Sequence, residues 1–589
     1  MCGIIGYVGG EKASDIVING LQKLEYRGYD SCGIAIKGTG FEIRKDIGSV
    51  DDLIHTQRPG EMRGNIGIGH TRWATHGGVT QANAHPHSSC DEKIAVVHNG
   101  IIENYQKLRE FLESKGHSFS SGTDTEVIPH MIEHWMDNGH SFDDAFREAI
   151  GQLEGQYAIV AMHRNEEKIL AARKGCPLVL GIGDKEYFVA SDIPAFFEHT
   201  NRVVYLYDFD SITLDKKGFS VYNIHDGKRV ARNIDTISWS LEKAEKGEFE
   251  HYMLKEIAEQ NETIANASMH DRDVIENLVG QVGNAQGIFF VGCGSSYHAC
   301  LTGSYVFSSI AKKHVNVVLG SEFPHYEHFL TDKSLVIAVS QSGETADVLD
   351  AVKTAKKRGS KIISIVNVQG SSLTRHSDHF LLMNAGPEVS VLSTKTYTSQ
   401  IALIILLAYA CAGRYEEGKK ALTYTWNLVF NLTSRNTRES LRKLADSLKE
   451  KNNIFTIGRG LFYPTALEAA LKIKEVSYIH AEGFAGGELK HGTIALIEEG
   501  TPCIVFVPKE GKEEILSNAM EIKARGGYII GIAPENNEIF DFFIKAPDVG
   551  YASPITNIIP VQILAYFLAV LRGINPDRPR NLAKSVTVK

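Results

Sequence analysis

Ile288-Phe289-Phe290-Val291-Gly292-Cys293-Gly294-Ser295-Ser296 is an apolar run that ends in a glycine-rich turn, and a long helical segment follows it. The same order returns at Ile454-Phe455-Thr456-Ile457-Gly458-Arg459-Gly460, again ahead of a helix. A short continuous apolar run before such a turn is the pattern of a strand buried on both faces. Further runs match in pairs: Ile362–Val366 with Tyr528–Ile532, and His379–Asn384 with Asp541–Lys545. The two stretches therefore read as a duplicated α/β unit on a mostly parallel sheet. Such halves place a site between them or at their strand ends.

Ahead of the duplication, Leu241-Glu242-Lys243-Ala244-Glu245-Lys246-Gly247-Glu248 has little to bury and reads as a linker. Before it the pattern differs: short apolar strands such as Ile4–Val8, Ile94–His98 and Tyr157–Ala161 alternate with glycine-containing turns and helical stretches such as Asn104–Lys115. The expected division is 2–240, a linker at 241–250, two similar α/β units at 251–430 and 431–575, and a tail at 576–589.

A chain of 589 residues with 43% hydrophobic and 23% charged residues is ordinary for a globular enzyme with several cores. Its net charge of -9 argues against a nucleic-acid partner. None of the eight cysteines forms a C-x-x-C pair, so no metal site is expected. The apolar run Ile401–Ala412 is short of the ~20 residues that span a bilayer and reads as a buried helix. No secretory start is evident, and the expectation is a cytoplasmic protein with reduced thiols and no membrane partner.

The chemistry begins at Met1-Cys2-Gly3. Once Met1 is removed, Cys2 carries a thiol and a free α-amine; that amine, with a reference pKa near ~7.7–8.0, can serve as the thiol's base. Three clusters accompany it. His70-Thr71-Arg72-Trp73-Ala74-Thr75-His76-Gly77 supplies an arginine fork suited to a carboxylate. Asn99-Gly100 at a strand end offers an amide donor and an approachable backbone N–H, the parts of an oxyanion hole. Asp124 at a helix start can hold an ammonium. Each alone has a plain structural reading as a turn, a cap or a surface ion pair. Together with a second-position cysteine they describe acyl transfer from a side-chain amide. His85-Pro86-His87 lacks a third metal ligand and reads as structural or substrate-orienting imidazoles.

In the duplicated half, Ser340-Gln341-Ser342-Gly343-Glu344-Thr345 precedes a helix and offers hydroxyls and N–H groups to an anion. Without a Walker lysine, a monophosphate fits better than a nucleoside triphosphate; a simple helix cap is the alternative. Glu468, Lys472 and Glu475 lie on one helix face among alanines and leucine, either as a solvated ion-pair stripe or as acid–base groups. His491 follows in a glycine-rich turn, and Lys584 sits in the tail, where desolvation would allow a Schiff base.

Cys2-Gly3-Ile4, Glu25–Ser31, His70–Gly77, Asn83–His87, His98–Gly100 and Thr123-Asp124 resemble the N-terminal-nucleophile glutamine amidotransferases, and within them the isomerising family that aminates fructose 6-phosphate. The resemblance covers nearly the whole chain. It implies an αββα sandwich glutaminase domain followed by two doubly wound parallel sugar isomerase domains. It implies Cys2 as nucleophile and Asn99 and Gly100 as oxyanion hole. Arg27, Arg72, Trp73, Thr75, His76, His85 and Asp124 would surround glutamine, with Trp73 gating an ammonia channel or serving only as a core aromatic. Cys293, Gly294, Ser295, Ser296, Ser340, Gln341, Ser342, Thr345, Val391, Ser393 and Glu468 would surround the sugar phosphate. Glu475 would move the proton between sugar C1 and C2 with help from Lys472. His491 of a partner subunit in a homodimer would open the furanose ring, and Lys584, in a tail that closes the sugar site, would hold the open-chain ketose. Small departures are Ser295, where the family often has threonine, and an extra glycine before His491. The implied substrates are L-glutamine and D-fructose 6-phosphate, the implied product opens the route to UDP-N-acetylglucosamine, and no cofactor is expected. The competing readings are another amidotransferase of the same class and a non-enzymatic sugar-phosphate sensor.

Overall fold

The computed structural model describes residues 2–74, 76–237 and 246–587. The chain divides into two compact units, Met1–Glu242 together with Ala583–Lys589, and Lys243–Leu582. The expected linker at 241–250 falls in large part on residues outside the described set. The end of the expected tail, Ala583–Lys589, groups with the first unit, and Ser585 and Thr587 are buried.

The first unit holds an eight-stranded and a six-stranded sheet. At the centre of the larger, Gly3–Val8 lies antiparallel between Ile66–Arg72 and Tyr187–Ala190. In the smaller, Ile94–Ile102 pairs antiparallel with Gly155–His163, Asn99 opposite Ala158. Side chains on a strand alternate between faces, and that alternation builds the layers. Ile4, Val8, Ile66 and Ile68 share one core with Ala95, Val97, Val160 and Met162 of the other sheet. The alternate set, Ile5, Tyr7, Ile34 and Ile36, packs with Val17 and Leu21 of helix Ala13–Leu24. On the far side, Ile94 and Val96 pack with Val127 and Met131 of helix Val127–Asp137 and Phe146 of helix Phe142–Gly151. The result is an αββα sandwich.

The second unit contains two five-stranded sheets with the same order: second, first, third, fourth, fifth strand. All pairings are parallel, in Gly287–Gly292 and its neighbours as in Asn453–Gly458 and its neighbours. Lys361–Val366 and Tyr528–Ala533 are the two fourth strands, and His379–Leu382 and Phe542–Lys545 the two fifth strands, which is the pairing expected from sequence. One continuous core runs through both modules, through helices Lys395–Cys411, Tyr463–Ser477 and Ser553–Leu571. The segment Gly550–Leu571 is long and apolar enough to cross a membrane, but it is mostly buried in this core. In this strand order the chain reverses direction of winding between the first and third strands, where a crevice opens at the carboxyl ends. In the first module those ends lead into Cys293–Ser296 and Gln341–Thr345.

Candidate active sites

In the first unit, strand Gly3–Val8 sets Cys2 at the edge of the sandwich, beside the end of Ile66–Arg72. The Cys2 Sγ lies 3.3 Å from the Trp73 N–H and 3.5 Å from the Trp73 carbonyl. Burial pushes the thiol's pKa up, while the Trp73 N–H, Arg72 and Arg27 pull against it. The Cys2 carbonyl accepts from Asn99 Nδ2 at 2.9 Å and from Arg27 Nε at 3.2 Å. Arg27 in turn pairs with Asp192 at 2.7 Å. Arg27, expected near glutamine, thus holds the carbonyl of the residue that carries the thiol.

Because the Asn99 Nδ2 faces a carbonyl, its Oδ1 faces His70 Nε2, at 3.1 Å. The same Nε2 lies 3.0 Å from the His98 carbonyl. Both partners only accept, so His70 carries its proton on Nε2 and orients the Asn99 amide. Burial lowers the His70 pKa to about 3 and drives His85, His87 and His98 down as well. Four neutral imidazoles can therefore lie together, and His70 stacks on His85 with ring centroids 4.1 Å apart. Thr125 Oγ1 ties the set, 3.0 Å from His85 Nε2 and 2.9 Å from His98 Nδ1. His85 is thus an orienting imidazole. Next to Asn99, Gly100 has φ +129, and a Cβ there would meet the Gln156 carbonyl at 2.0 Å, so the position demands glycine.

Asp124 is buried and accepts from the Ile102 N–H at 2.8 Å. Arg72 donates to the carbonyls of His76, Gly77 and Gly78 and so shapes that loop. Burial lowers its pKa, and Cys2, Asp30 and Asp124 act on it electrostatically, so thiol, cation and carboxylate share one neighbourhood. Trp73 is half-buried, and the His76 ring meets Tyr105 edge-on at 5.2 Å. Thr75 lies outside the described residues.

In the second unit, Ser295 opens helix Ser295–Val306 at the switch point. Its hydroxyl donates to Glu468 Oε1 at 2.8 Å and accepts from Lys472 Nζ at 3.0 Å. His298, one turn on, donates from Nδ1 to Glu468 Oε2 at 2.8 Å. Lys472 Nζ also lies 3.4 Å from Glu468 and 2.8 Å from Glu475. Burial would lower the ammonium's pKa, but Glu468 and Glu475 outweigh it and hold it raised. Burial likewise opposes ionisation of Glu468, and Lys472 and His298 overcome it. The stripe read from sequence is therefore an interior ion cluster. Its members divide by access: the side chains of Glu468 and Lys472 are 0% and 1% exposed, that of Glu475 22%. Glu468, expected on the sugar phosphate, has both oxygens engaged by Ser295 and His298 and no exposure.

Ser340 Oγ lies 3.2 Å from Thr345 Oγ1 and accepts from the Gly343 N–H at 3.1 Å. Ser342 Oγ accepts from the Glu344 N–H, and Glu344 braces the loop through the Ser372 N–H. The Gln341 carbonyl accepts from the Asn367 N–H. This loop leads into helix Ala346–Lys357. Ser296 accepts from Gln400 Nε2 at 3.1 Å, Ser393 Oγ lies 2.7 Å from Thr396 Oγ1, and the Val391 N–H donates to the Asp577 carbonyl. Gly294 is exposed with φ +55, and Cys293 is half-buried with its thiol pushed up to about 11 by burial. His491 is exposed at the end of a 3-10 turn, away from the ion cluster's contacts. Lys584 is half-buried in the segment that groups with the first unit.

His70 and His298 were missed as functional residues. His298 was detectable, since it shares a helix face with Ser295; His70 stood inside a quoted motif but had no signal of its orienting role.

Comparison with known proteins gives the class first. Residues 70–198 match the glutamine amidotransferase domain, and residues 283–410 and 447–572 each match the SIS domain. The chain is thus an amidotransferase domain joined to a duplicated SIS domain. Curated glutamine--fructose-6-phosphate aminotransferases [isomerizing] from Thermococcus kodakarensis and Pyrococcus horikoshii are each 47% identical over the full length of both chains. The chain belongs to this enzyme family. The solved C-terminal domain of glucosamine-fructose-6-phosphate aminotransferase from Francisella tularensis matches 57% of this chain and all of its own, with 33% identity and a TM-score of 0.52.

Proposed function

We propose that the chain converts L-glutamine and D-fructose 6-phosphate to L-glutamate and D-glucosamine 6-phosphate. Cys2, freed of Met1, attacks the glutamine side-chain carbonyl with its α-amine as base. Asn99 and Gly100 stabilise the oxyanion. Ammonia leaves a thioester that water hydrolyses to glutamate. Arg72 takes the glutamine carboxylate and Asp124 its ammonium. Ammonia must reach sugar C2 unprotonated, which calls for an enclosed route; Trp73 is its gate.

The observation that carries the sugar half is the Ser295–Lys472–Glu475 run at the switch point. Glu475, the half-buried and more accessible carboxylate of that run, exchanges the proton between C1 and C2, with Lys472 beside it. Ser295, Ser340, Gln341, Ser342 and Thr345 hold the phosphate at the start of helix Ala346–Lys357. Val391 and Ser393 line the sugar. His491 acts from a partner subunit in a homodimer, which accords with its exposure, and Lys584 forms the Schiff base with the open ketose. The reaction draws on soluble cytoplasmic metabolites.

The test is Cys2→Ala assayed with glutamine and fructose 6-phosphate. Amino-sugar formation should vanish while interconversion of fructose and glucose 6-phosphates persists. Loss of both activities in a folded variant would refute two separable sites.

A further inference from the structure

Outside both sites, the first unit gathers Cys90, His117, His130 and Glu133, with one ligand atom from each within 4.8 Å of the others. Cys90 follows the short strand His87–Ser88, His117 follows helix Tyr105–Ser114, and His130 and Glu133 lie one turn apart on helix Val127–Asp137. No compact cysteine–histidine spacing marks them in sequence. The fold alone makes the group.

We propose that these four side chains bind a divalent transition metal of the zinc class as a structural site. What marks the group is the convergence of four ligand-type atoms on one point. Cys90 Sγ lies 3.7 Å from His117 Nδ1 and 3.5 Å from His130 Nδ1. Glu133 Oε2 lies 2.9 Å and 3.4 Å from the same two nitrogens. The Glu133–His130 contact is long for a hydrogen bond, whereas the two sulfur contacts are of ordinary length for a thiol. For tetrahedral zinc, bond lengths of about 2.3 Å to sulfur and about 2.0–2.1 Å to nitrogen or oxygen put S···N edges near ~3.5 Å and N···O edges near ~3.3 Å. Both histidines present Nδ1 to the same point as the sulfur and the carboxylate.

The surroundings fit. The Cys90 and Asp91 N–H groups fix the Glu133 carboxylate at 3.1 Å and 2.9 Å. The Ser118 N–H donates to the Cys90 sulfur at 3.4 Å. His130 Nε2 is buried without a hydrogen-bond partner, and the nearest carboxylate oxygen, Glu126 Oε1, lies 3.7 Å away. A thiolate and a carboxylate neutralise the dication, the thiol proton passing to solvent on binding. Cys90 is exposed, which gives the ion a way in. Four protein ligands leave no open position, as in structural rather than catalytic zinc sites. The ion would tie three segments together just beyond Asp124, and Glu126 extends the tie by accepting from Ser120 and Ser121.

The experiment uses tag-free full-length protein from zinc-supplemented cells. Elemental analysis should find about one zinc per chain, falling at least tenfold in Cys90→Ala. Chelator-treated protein titrated with cobalt should develop the near-ultraviolet thiolate absorption and strong visible bands of tetrahedral cobalt, and Cys90→Ala should lose the former. Should Cys90→Ala not fold, the wild-type cobalt spectrum decides alone. Wild-type protein without zinc and without those cobalt bands, or a folded Cys90→Ala that keeps metal and spectrum unchanged, overturns the site. Neither readout depends on catalysis.

Discussion

Lys472→Met would remove the one ammonium between two carboxylates in the core of the second unit. Methionine nearly fills the space, so the effect is electrical rather than a cavity. Glu468 would keep Ser295 and His298, but its negative charge would lose the cation 3.4 Å away while remaining wholly buried. Breaking a buried pair on one side costs about 3–5 kcal/mol. At about 2.1 cal/mol/K per residue over the Lys243–Leu582 unit, that lowers its melting midpoint by about 4–7 °C. The pH dependence carries a sign. In the native chain Glu468 titrates below its ordinary value, so its contribution is present above the unfolded pKa and fades as pH falls through the folded one. Lys472 titrates above its ordinary value, so its contribution holds below the unfolded pKa and fades as pH rises through the folded one. Without the ammonium, burial raises the Glu468 carboxyl, and the variant's penalty is largest near neutrality and shrinks toward pH 5 as the acid takes its proton. Thermal melts at pH 5 and pH 8, followed by circular dichroism, read this directly, with glutamine hydrolysis as a control for the first unit. A shift below about 1 °C, or one equal at both pH values, would show that Glu468 and Lys472 are not an obligatory charge pair.

Three further outcomes follow from the geometry. Gly100→Ala forces a Cβ into the Gln156 carbonyl at positive φ; glutamine hydrolysis should fall about 10²–10³-fold, measured as kcat for glutamate release. His70→Phe keeps a ring on His85 but leaves Asn99 Oδ1 buried without its donor, at a cost of about 1–3 kcal/mol; kcat for glutamate release should fall at least about tenfold with KM for glutamine little changed. Ser340→Ala takes the acceptor from the Gly343 N–H; fructose 6-phosphate should bind about 5–10-fold more weakly by calorimetry, the worth of one hydrogen bond, with glutamine hydrolysis unaltered.

The parallel sheets could be read from sequence because strands covered on both faces must be apolar throughout, as Ile288–Val291 and Ile454–Ile457 are, and because the pattern occurs twice. Strand order could not, since it depends on which strands meet after collapse. The grouping of Cys2 with Asn99 could be anticipated because the chemistry read from sequence needs those residue types, and the structure puts Asn99 Nδ2 on the Cys2 carbonyl. The hydrogen bond from Ser295 to Glu468 was not legible: helical spacing shows that three charges share a face but not that the face points inward to Ser295. His70, His117 and Glu133 were overlooked for one reason. Each acts through neighbours distant in the chain, and local pattern carries no distance information across a fold.

The link from Ser295 to Glu468 and Lys472 joins twin modules that have specialised. The first copy carries Ser295 after its glycine turn, whereas the second carries Leu461 at the matching position; the second copy supplies the acid and the ammonium. Neither twin could replace the other, although their scaffolds match strand for strand. Exchanging one module for the other would keep the strand order but lose either the hydroxyl or the acid and ammonium that meet at this link.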